Sequence, residues 1–174
     1  KGYGLEVAAL GFFGGIMGRE LLNMLEKEGV QTAPVFVDED TRTNTKIMDP
    51  TSGAETEINE PGPYVGEREQ SLIEQHLADY ALQSGYTVFS GSLPQGCPSE
   101  FYRRLIATAH QHGCKTILDT SGPALKEGIK AAPYLIKPNH HELSELIGRE
   151  ITTAATAVEA AAHLAAASRM PSSA

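Results

Sequence analysis

The sequence predicts an α/β fold built around a parallel sheet, and two observations lead to that prediction. From residue 86 onward, short apolar runs that are typical of buried strands alternate with amphipathic helical segments. The helical segments on either side of the first such strand end beside Gly85 and Gly113, and glycine often terminates a helix. Strands joined by single helices pair in parallel through right-handed crossovers, so the loops that follow them should meet at one edge.

The chain opens with an apolar strand at residues 6–10, a glycine-rich loop at 11–18, an amphipathic helix at 19–27 and a strand at 34–37. The loop reads Gly-x-x-Gly-Gly-x-x-Gly, which differs from the Gly-x-Gly-x-x-Gly fingerprint of dinucleotide-binding proteins. Asp38 is the nearest acidic residue to the place where that fingerprint requires one. We therefore interpret the glycines as a tight turn that permits close backbone packing.

A polar β-hairpin then interrupts the α/β pattern. Residues 41–48 are rich in β-branched side chains, residues 49–53 form a turn with Pro and Gly, and residues 54–58 return as the second arm. No helix separates the two arms, so we expect a flap outside the main sheet. The regular alternation follows, with helices predicted at 66–83, 99–111, 124–130 and 152–168 and strands at 86–89, 115–118 and 134–136.

Polar residues follow three consecutive strands of the predicted sheet. Ser90 and Ser92 come after the first, Asp119 after the second, and Lys137 and Asn139 after the third. The carboxyl ends of neighbouring parallel strands lie side by side, and ligands of open α/β sheets bind at that edge. We therefore expect these side chains to gather on one rim.

The segment that begins at Lys137 supports two interpretations, which the sequence leaves open. Asn139 and Glu142 occupy the spacing of a helix capping box, which requires no ligand. Alternatively, the helix N-terminus and Lys137 would attract phosphate, while the side-chain oxygens of Asn139 and Glu142 would orient a hydrated Mg²⁺.

The overall composition favours a soluble cytoplasmic protein. A net charge of −8 without a basic run argues against binding to nucleic acid, and no apolar stretch reaches membrane-spanning length. The two cysteines, Cys97 and Cys114, lack the spacing of a metal site, and we expect both to be reduced thiols.

Several motifs occur together in an order that resembles the PfkB carbohydrate kinase (ribokinase-like) family. They are Ala-Leu-Gly-Phe-Phe-Gly-Gly at 9–15, Thr-Arg-Thr-Asn at 41–44, Ser-Gly-Ser-Leu-Pro at 90–94, Asp-Thr-Ser-Gly at 119–122 and Lys-Pro-Asn-His-His-Glu at 137–142. The nearest branch is the group of 1-phosphofructokinases and tagatose-6-phosphate kinases. The resemblance covers the chain as far as about residue 150.

The resemblance implies a doubly wound, mostly parallel α/β sheet, in which residues 1–174 are part of a single domain with a β-hairpin lid at about 41–60. It implies ATP-dependent phosphorylation of fructose 1-phosphate to fructose 1,6-bisphosphate, with Mg²⁺. Tagatose 6-phosphate and fructose 6-phosphate remain alternative substrates. In such enzymes the lid often also forms a dimer contact, so a homodimer is expected.

The same resemblance implies roles for residues at the sugar-phosphate end of the site. Arg42 matches the family's arginine that meets the phosphate already on the substrate, which suits the planar guanidinium group. Asn44 matches a neighbouring lid residue, and Ser90 and Ser92 would line the sugar-phosphate pocket.

At the nucleotide end, Lys137, Asn139 and Glu142 match positions near the ATP phosphates. Asn139 and Glu142 would bind Mg²⁺ through water, and Asp119 would lie close by as a supporting acid. No residue matches the family's catalytic base, whose Gly-Ala-Gly-Asp motif would lie beyond Ala174. The family's first substrate-binding strand would lie before Lys1. We therefore expect a central fragment of a kinase without useful turnover of its own, or alternatively a truncated remnant that is not catalytic.

Overall fold

The computed structural model describes residues 4–167, with side chains as far as residue 160. The strands are β1 (Ala8–Gly14), β2 (Gln31–Val37), β3 (Asn44–Met48), β4 (Glu55–Asn59), β5 (Tyr86–Ser90), β6 (Lys115–Asp119) and β7 (Leu135–Ile136). The helices are α1 (Gly15–Lys27), α2 (Glu67–Ala81), α3 (Phe101–Gln111), α4 (Gly122–Gly128), α5 (His140–Ile147) and α6 (Ala154–Ala167). None of the helices within residues 4–167 is long and apolar enough to cross a bilayer.

The chain divides into two compact units. The first consists of Lys1–His76 with Pro94–Cys97, and the second of Leu77–Leu93 with Pro98–Ala174. Parallel strands joined by helices occur in both units. The predicted α/β fold with parallel strands is therefore confirmed, although the described strands form separate ladders: β1 with β2, β3 with β4, and β5 with β6 and β7.

In the first unit, β1 and β2 pair in parallel from Ala8 opposite Gln31 to Gly14 opposite Val37. The predicted loop at 11–18 is wrong, because β1 continues through Gly14 and α1 begins at Gly15. Glycine has a poor strand propensity, so local sequence marks this segment as a loop. Its pairing with β2 overrides that local preference.

Close backbone packing around the glycines is confirmed. The Gly14 N–H donates to Thr41 Oγ1 at 2.9 Å, and the Thr41 N–H donates to the Gly14 carbonyl oxygen at 3.1 Å. A Cβ atom on Gly14 would overlap the backbone carbonyl of Glu39. Only hydrogen fits at this position, because the opposing atoms belong to a backbone that cannot rotate away.

The hairpin of β3 and β4 is antiparallel, and every residue of both strands is exposed. The predicted first arm began too early, because Arg42 and Thr43 precede β3. Lys46 forms ion pairs with Glu55 at 2.7 Å and Glu57 at 3.5 Å. In the turn, the Ser52 hydroxyl donates to the Asp49 carboxylate, and this hydrogen bond lowers the Asp49 pKa.

The two faces of the hairpin differ in chemistry. Residues directly opposite each other in an antiparallel pair share a face, and alternate residues along a strand share one too. Thr45 lies opposite Ile58 and Ile47 opposite Thr56, so these four residues form one face, here called the apolar hairpin face. Ile47 is 54% exposed and Ile58 is 56% exposed.

In the second unit, β5, β6 and β7 lie side by side in that order, with all pairs parallel. One face of this sheet carries the buried Phe89, Thr116 and Leu118. The Phe89 and Tyr102 rings pack with their centroids 5.9 Å apart, so α3 lies on that face. The next residues along β5 and β6, Ser90 and Asp119, therefore project from the opposite face.

We expect Gly14→Ala to lower the free energy of unfolding by roughly 1–3 kcal/mol, because the new methyl group must displace the Glu39 backbone. Urea unfolding followed by circular dichroism measures the change. Gly85→Ala is the control: a Cβ there meets nothing within 4 Å, so we expect no loss of stability. Equal stability of Gly14→Ala and wild type would contradict the close packing described above.

Candidate active site

The carboxyl ends of β5, β6 and β7 meet at one edge of the second unit. Ser90 at the end of β5 lies opposite Asp119 at the end of β6. The Lys137 N–H donates to the Leu118 carbonyl oxygen at 3.1 Å, which continues the ladder between β7 and β6 by one residue. Ser90, Asp119 and Lys137, here called the strand-end rim, are thus brought together as the sequence predicts.

Lys137 is held at the rim by an ion pair. Its Nζ atom lies 3.2 Å from Asp119 Oδ2, while the Lys137 side chain is 70% exposed and that of Asp119 is 35% exposed. Ion pairs this accessible to solvent contribute little to stability. Lys137 can therefore turn from Asp119 to a phosphate oxygen at small cost in free energy.

Helix α5 begins with a complete capping box. Asn139 Oδ1 accepts from the His141 N–H at 2.9 Å and from the Glu142 N–H at 3.0 Å. In return, Glu142 Oε2 accepts from the Asn139 N–H at 2.9 Å. The capping interpretation of this segment is therefore correct as a description of structure. It does not exclude a ligand, since a carboxylate has about four acceptor sites and the box uses one.

The residues at the start of α5 suit a hydrated Mg²⁺ rather than a closed metal site. Across the part of the chain that the structure describes, no three His, Cys, Asp or Glu side chains are grouped to hold a metal. Mg²⁺ in nucleotide sites keeps several waters and uses one or two carboxylates together with the phosphates themselves. Asn139 and Glu142 carry hard oxygen atoms of that kind at the start of α5, and Lys137 precedes them in the chain.

The turn after β5 is stabilised by groups that sequence reasoning missed. Gly91 has a φ of +97°, a conformation that favours glycine, and its N–H donates to the Asp119 carbonyl oxygen at 3.0 Å. The Gly91 carbonyl oxygen accepts from Thr120 Oγ1 at 2.8 Å and from Tyr102 Oη at 3.0 Å. Thr120 belongs to the motif that drew attention to Asp119, but local sequence carries no signal that links Tyr102 to this turn.

Arg42 and Asn44 belong to the first unit. Arg42 lies just before β3, with its aliphatic chain against Gly62, where an added Cβ would be 3.3 Å from Arg42 Cδ. Beside it, the Thr43 N–H donates to Glu60 Oε2 at 2.8 Å. Asn44 opens β3 opposite Asn59 and is exposed. Their roles at the sugar-phosphate end of a site stay predictions.

The family model of the pfkB carbohydrate kinases matches residues 1–169. The chain belongs to the pfkB family. Among curated pfkB proteins, it is 38% identical over 152 residues to the 1-phosphofructokinase of Bacillus subtilis, an alignment that covers 86% of the chain and 48% of that protein. It is 34% identical over 152 residues to the tagatose-6-phosphate kinase of Staphylococcus epidermidis, again covering 86% of the chain and 48% of that protein.

A solved pfkB-type structure supports the fold. Phosphofructokinase-2 from Escherichia coli superposes with a TM-score of 0.83 at 33% identity, covering 95% of this chain and 53% of that one. The chain therefore spans about half the length of the relatives that it matches.

Proposed function

We propose that the protein carrying these residues phosphorylates a sugar phosphate at the expense of ATP, converting fructose 1-phosphate to fructose 1,6-bisphosphate. The observation that carries the proposal is the gathering of Ser90, Asp119 and Lys137 on one sheet edge beside the start of α5. The name of the Bacillus subtilis relative favours this substrate. Tagatose 6-phosphate is the second candidate, favoured by the Staphylococcus epidermidis relative.

At the sugar-phosphate end, we assign Arg42 to the phosphate already present on the substrate. Its guanidinium group can form two parallel hydrogen bonds to phosphate oxygens, which fixes orientation as well as affinity. Asn44 supplies a neighbouring amide from the hairpin. Ser90 and Ser92, on either side of the Gly91 turn, supply hydroxyl groups to the sugar.

At the nucleotide end, Asp119 holds Lys137 near the nucleotide through their ion pair. Lys137 then turns from Asp119 to a phosphate oxygen and neutralises its charge. Glu142 would hold a water of Mg²⁺ through its unused acceptor sites while it continues to cap α5. Asn139 would do so by exchanging one of the two N–H groups that its Oδ1 accepts from. When bound, ATP would supply the phosphoryl group and Mg²⁺ would neutralise charge on its phosphates. Positioning and charge neutralisation are the main requirements of phosphoryl transfer, and the residues assigned here carry chemical groups suited to both.

We treat both compact units as parts of one ribokinase-like domain with the hairpin as its lid, because one family match covers residues 1–169. We place the protein in the cytoplasm, in keeping with Cys97 and Cys114, which are thiols rather than a disulfide.

Two substitutions in the full-length protein test the sugar-phosphate residues and the nucleotide residues of the proposed site independently. We expect Arg42→Ala to raise KM for the sugar phosphate roughly 10- to 100-fold, since a charge-assisted hydrogen bond is lost. We expect Glu142→Gln to lower kcat and raise the Mg²⁺ concentration required, with unchanged stability, because glutamine preserves a capping box. A steady-state assay over fructose 1-phosphate, fructose 6-phosphate and tagatose 6-phosphate measures these effects.

Matched controls are Arg68→Ala on α2 and Glu145→Gln on α5, both exposed charges outside the proposed site. They should leave the kinetic constants unchanged. An unaltered Mg²⁺ requirement in Glu142→Gln would refute the role of Glu142, and absence of activity on all three sugar phosphates would refute the proposed reaction.

We further propose that residues 1–174 alone have no useful kinase turnover. Transfer to a sugar hydroxyl requires a base for its proton, and the resemblance matches no residue here to the family's base. A coupled assay of ADP release with fructose 1-phosphate tests this. We expect a rate at background for residues 1–174, and turnover near that of the full-length protein would show that the chain contains its own base.

The apolar hairpin face supports a homodimer. Four exposed residues present β-branched side chains on one side of a two-stranded ribbon, and such a ribbon is stable only when its apolar face is covered. We expect Ile47→Lys to shift the full-length protein from dimer to monomer in analytical ultracentrifugation. Met48→Lys, on the neighbouring residue but the opposite face, should leave the dimer intact. Dimers in both variants would contradict this interface.

A further inference from the structure

The turn between Ser90 and Ser92 receives support from two separate elements. Thr120 follows β6, and its hydroxyl donates to the Gly91 carbonyl oxygen at 2.8 Å. Tyr102 lies on α3, and the one proton of its hydroxyl is shared between the same oxygen at 3.0 Å and the Ser90 carbonyl oxygen at 3.3 Å. One backbone carbonyl therefore accepts from two side-chain hydroxyl groups, which is the full capacity of its two lone pairs.

These hydroxyl groups fix the orientation of a peptide plane. The structure has no cis peptide bonds among its described residues, so the N–H of Ser92 points opposite to the Gly91 carbonyl. With the carbonyl held towards Thr120 and Tyr102, the Ser92 N–H points away from them. The φ of +97° at Gly91 leaves this turn without the steric restraint that a side chain would impose, so hydrogen bonds must determine its geometry.

The side chains of both donors are buried, so their hydroxyl groups are held in fixed positions beside the Gly91 carbonyl. Thr120 is 7% exposed and Tyr102 is 8% exposed. The hydrogen bonds themselves are partly buried, so water replaces a lost donor only incompletely and we expect its removal to loosen the carbonyl. The Tyr102 ring also packs on Phe89, and its hydroxyl is therefore presented from a rigid base.

We propose that Thr120 and Tyr102 are positioning residues for the sugar-phosphate end of the site. Through the Gly91 carbonyl they set the direction of Ser90 and Ser92, and they act on the affinity for the sugar phosphate without touching it. This inference rests on the proposed function, since it is Ser90 and Ser92 that we assign to the substrate.

The test uses variants of the full-length protein that remove a hydroxyl but keep the shape. Thr120→Val and Tyr102→Phe should each raise KM for the sugar phosphate roughly 3- to 10-fold, the effect of one neutral hydrogen bond, and leave KM for ATP within about twofold. Thr120→Ser keeps the donor and should restore the wild-type KM. If Thr120 only stabilised the fold, Thr120→Val would change the KM for the sugar phosphate and the KM for ATP together. Thr120→Ser would then show no selective recovery of the KM for the sugar phosphate.

Thr116→Val is the matched control. Thr116 lies on β6, the strand that Thr120 follows. It is fully buried, and its hydroxyl is hydrogen-bonded to His110 Nε2 at 2.9 Å, away from the turn. It should lower stability about as much as Thr120→Val and leave both KM values unchanged. Equal KM effects in the two threonine variants would overturn the inference, as would an unchanged KM in Thr120→Val.

Amide hydrogen exchange of the segment 86–93 gives a readout that needs no activity. Faster exchange at the Gly91 amide in Thr120→Val, but not in Thr116→Val, is the expected result. Unchanged exchange in Thr120→Val would show that Thr120 does not hold the turn. If wild type phosphorylates no sugar phosphate, the proposed function fails and the claim on substrate affinity fails with it, while exchange still decides whether the turn is held.

Discussion

The hydrogen-bond ladder that joins β5, β6 and β7 determines where the polar groups of the second unit stand. Side chains alternate between the two faces of a strand, so a shift of one residue in register would move Asp119 to the buried face. Pairing of Ser90 with Asp119 prevents that shift. The ladder extends past the strands through the Gly91 and Lys137 N–H groups, which carries the same register into the loops.

At the start of α5, the atoms that cap the helix are also those that we propose for the nucleotide site. Asn139 and Glu142 satisfy backbone groups that the first turn of a helix leaves without partners. The N-terminus of a helix also carries a partial positive charge, which attracts the negative charge of a phosphate. A cap made from an amide oxygen and a carboxylate holds those oxygens in one place before any ligand arrives. The capping hydrogen bonds thus hold in place the side chains that we propose for a nucleotide site.

The turn after β5 also holds side chains in defined positions, but by other means than a helix cap. A glycine in a left-handed conformation has little intrinsic rigidity, yet its neighbours Ser90 and Ser92 need defined directions if they are to meet a sugar. Hydroxyl groups from α3 and from the segment after β6 supply that rigidity through one carbonyl oxygen. The flexible residue permits the sharp turn, and the buried donors hold it.

Sequence alone determined the α/β class, the hairpin and the presence of polar residues after three strands, and it offered the capping box of α5 as one of two interpretations. Each of these depends on residues that are near each other along the chain, where periodicity and capping chemistry act directly. Tertiary structure decided that β1 runs through Gly14 and that Tyr102 and Thr120 meet at Gly91. Those contacts join positions 11 and 29 residues apart, and they arise only when register and helix packing bring the partners together. Glycine has only a weak conformational preference of its own. At Gly14 the pairing of β1 with β2 therefore decides the structure, and at Gly91 the packing of α3 on its sheet does.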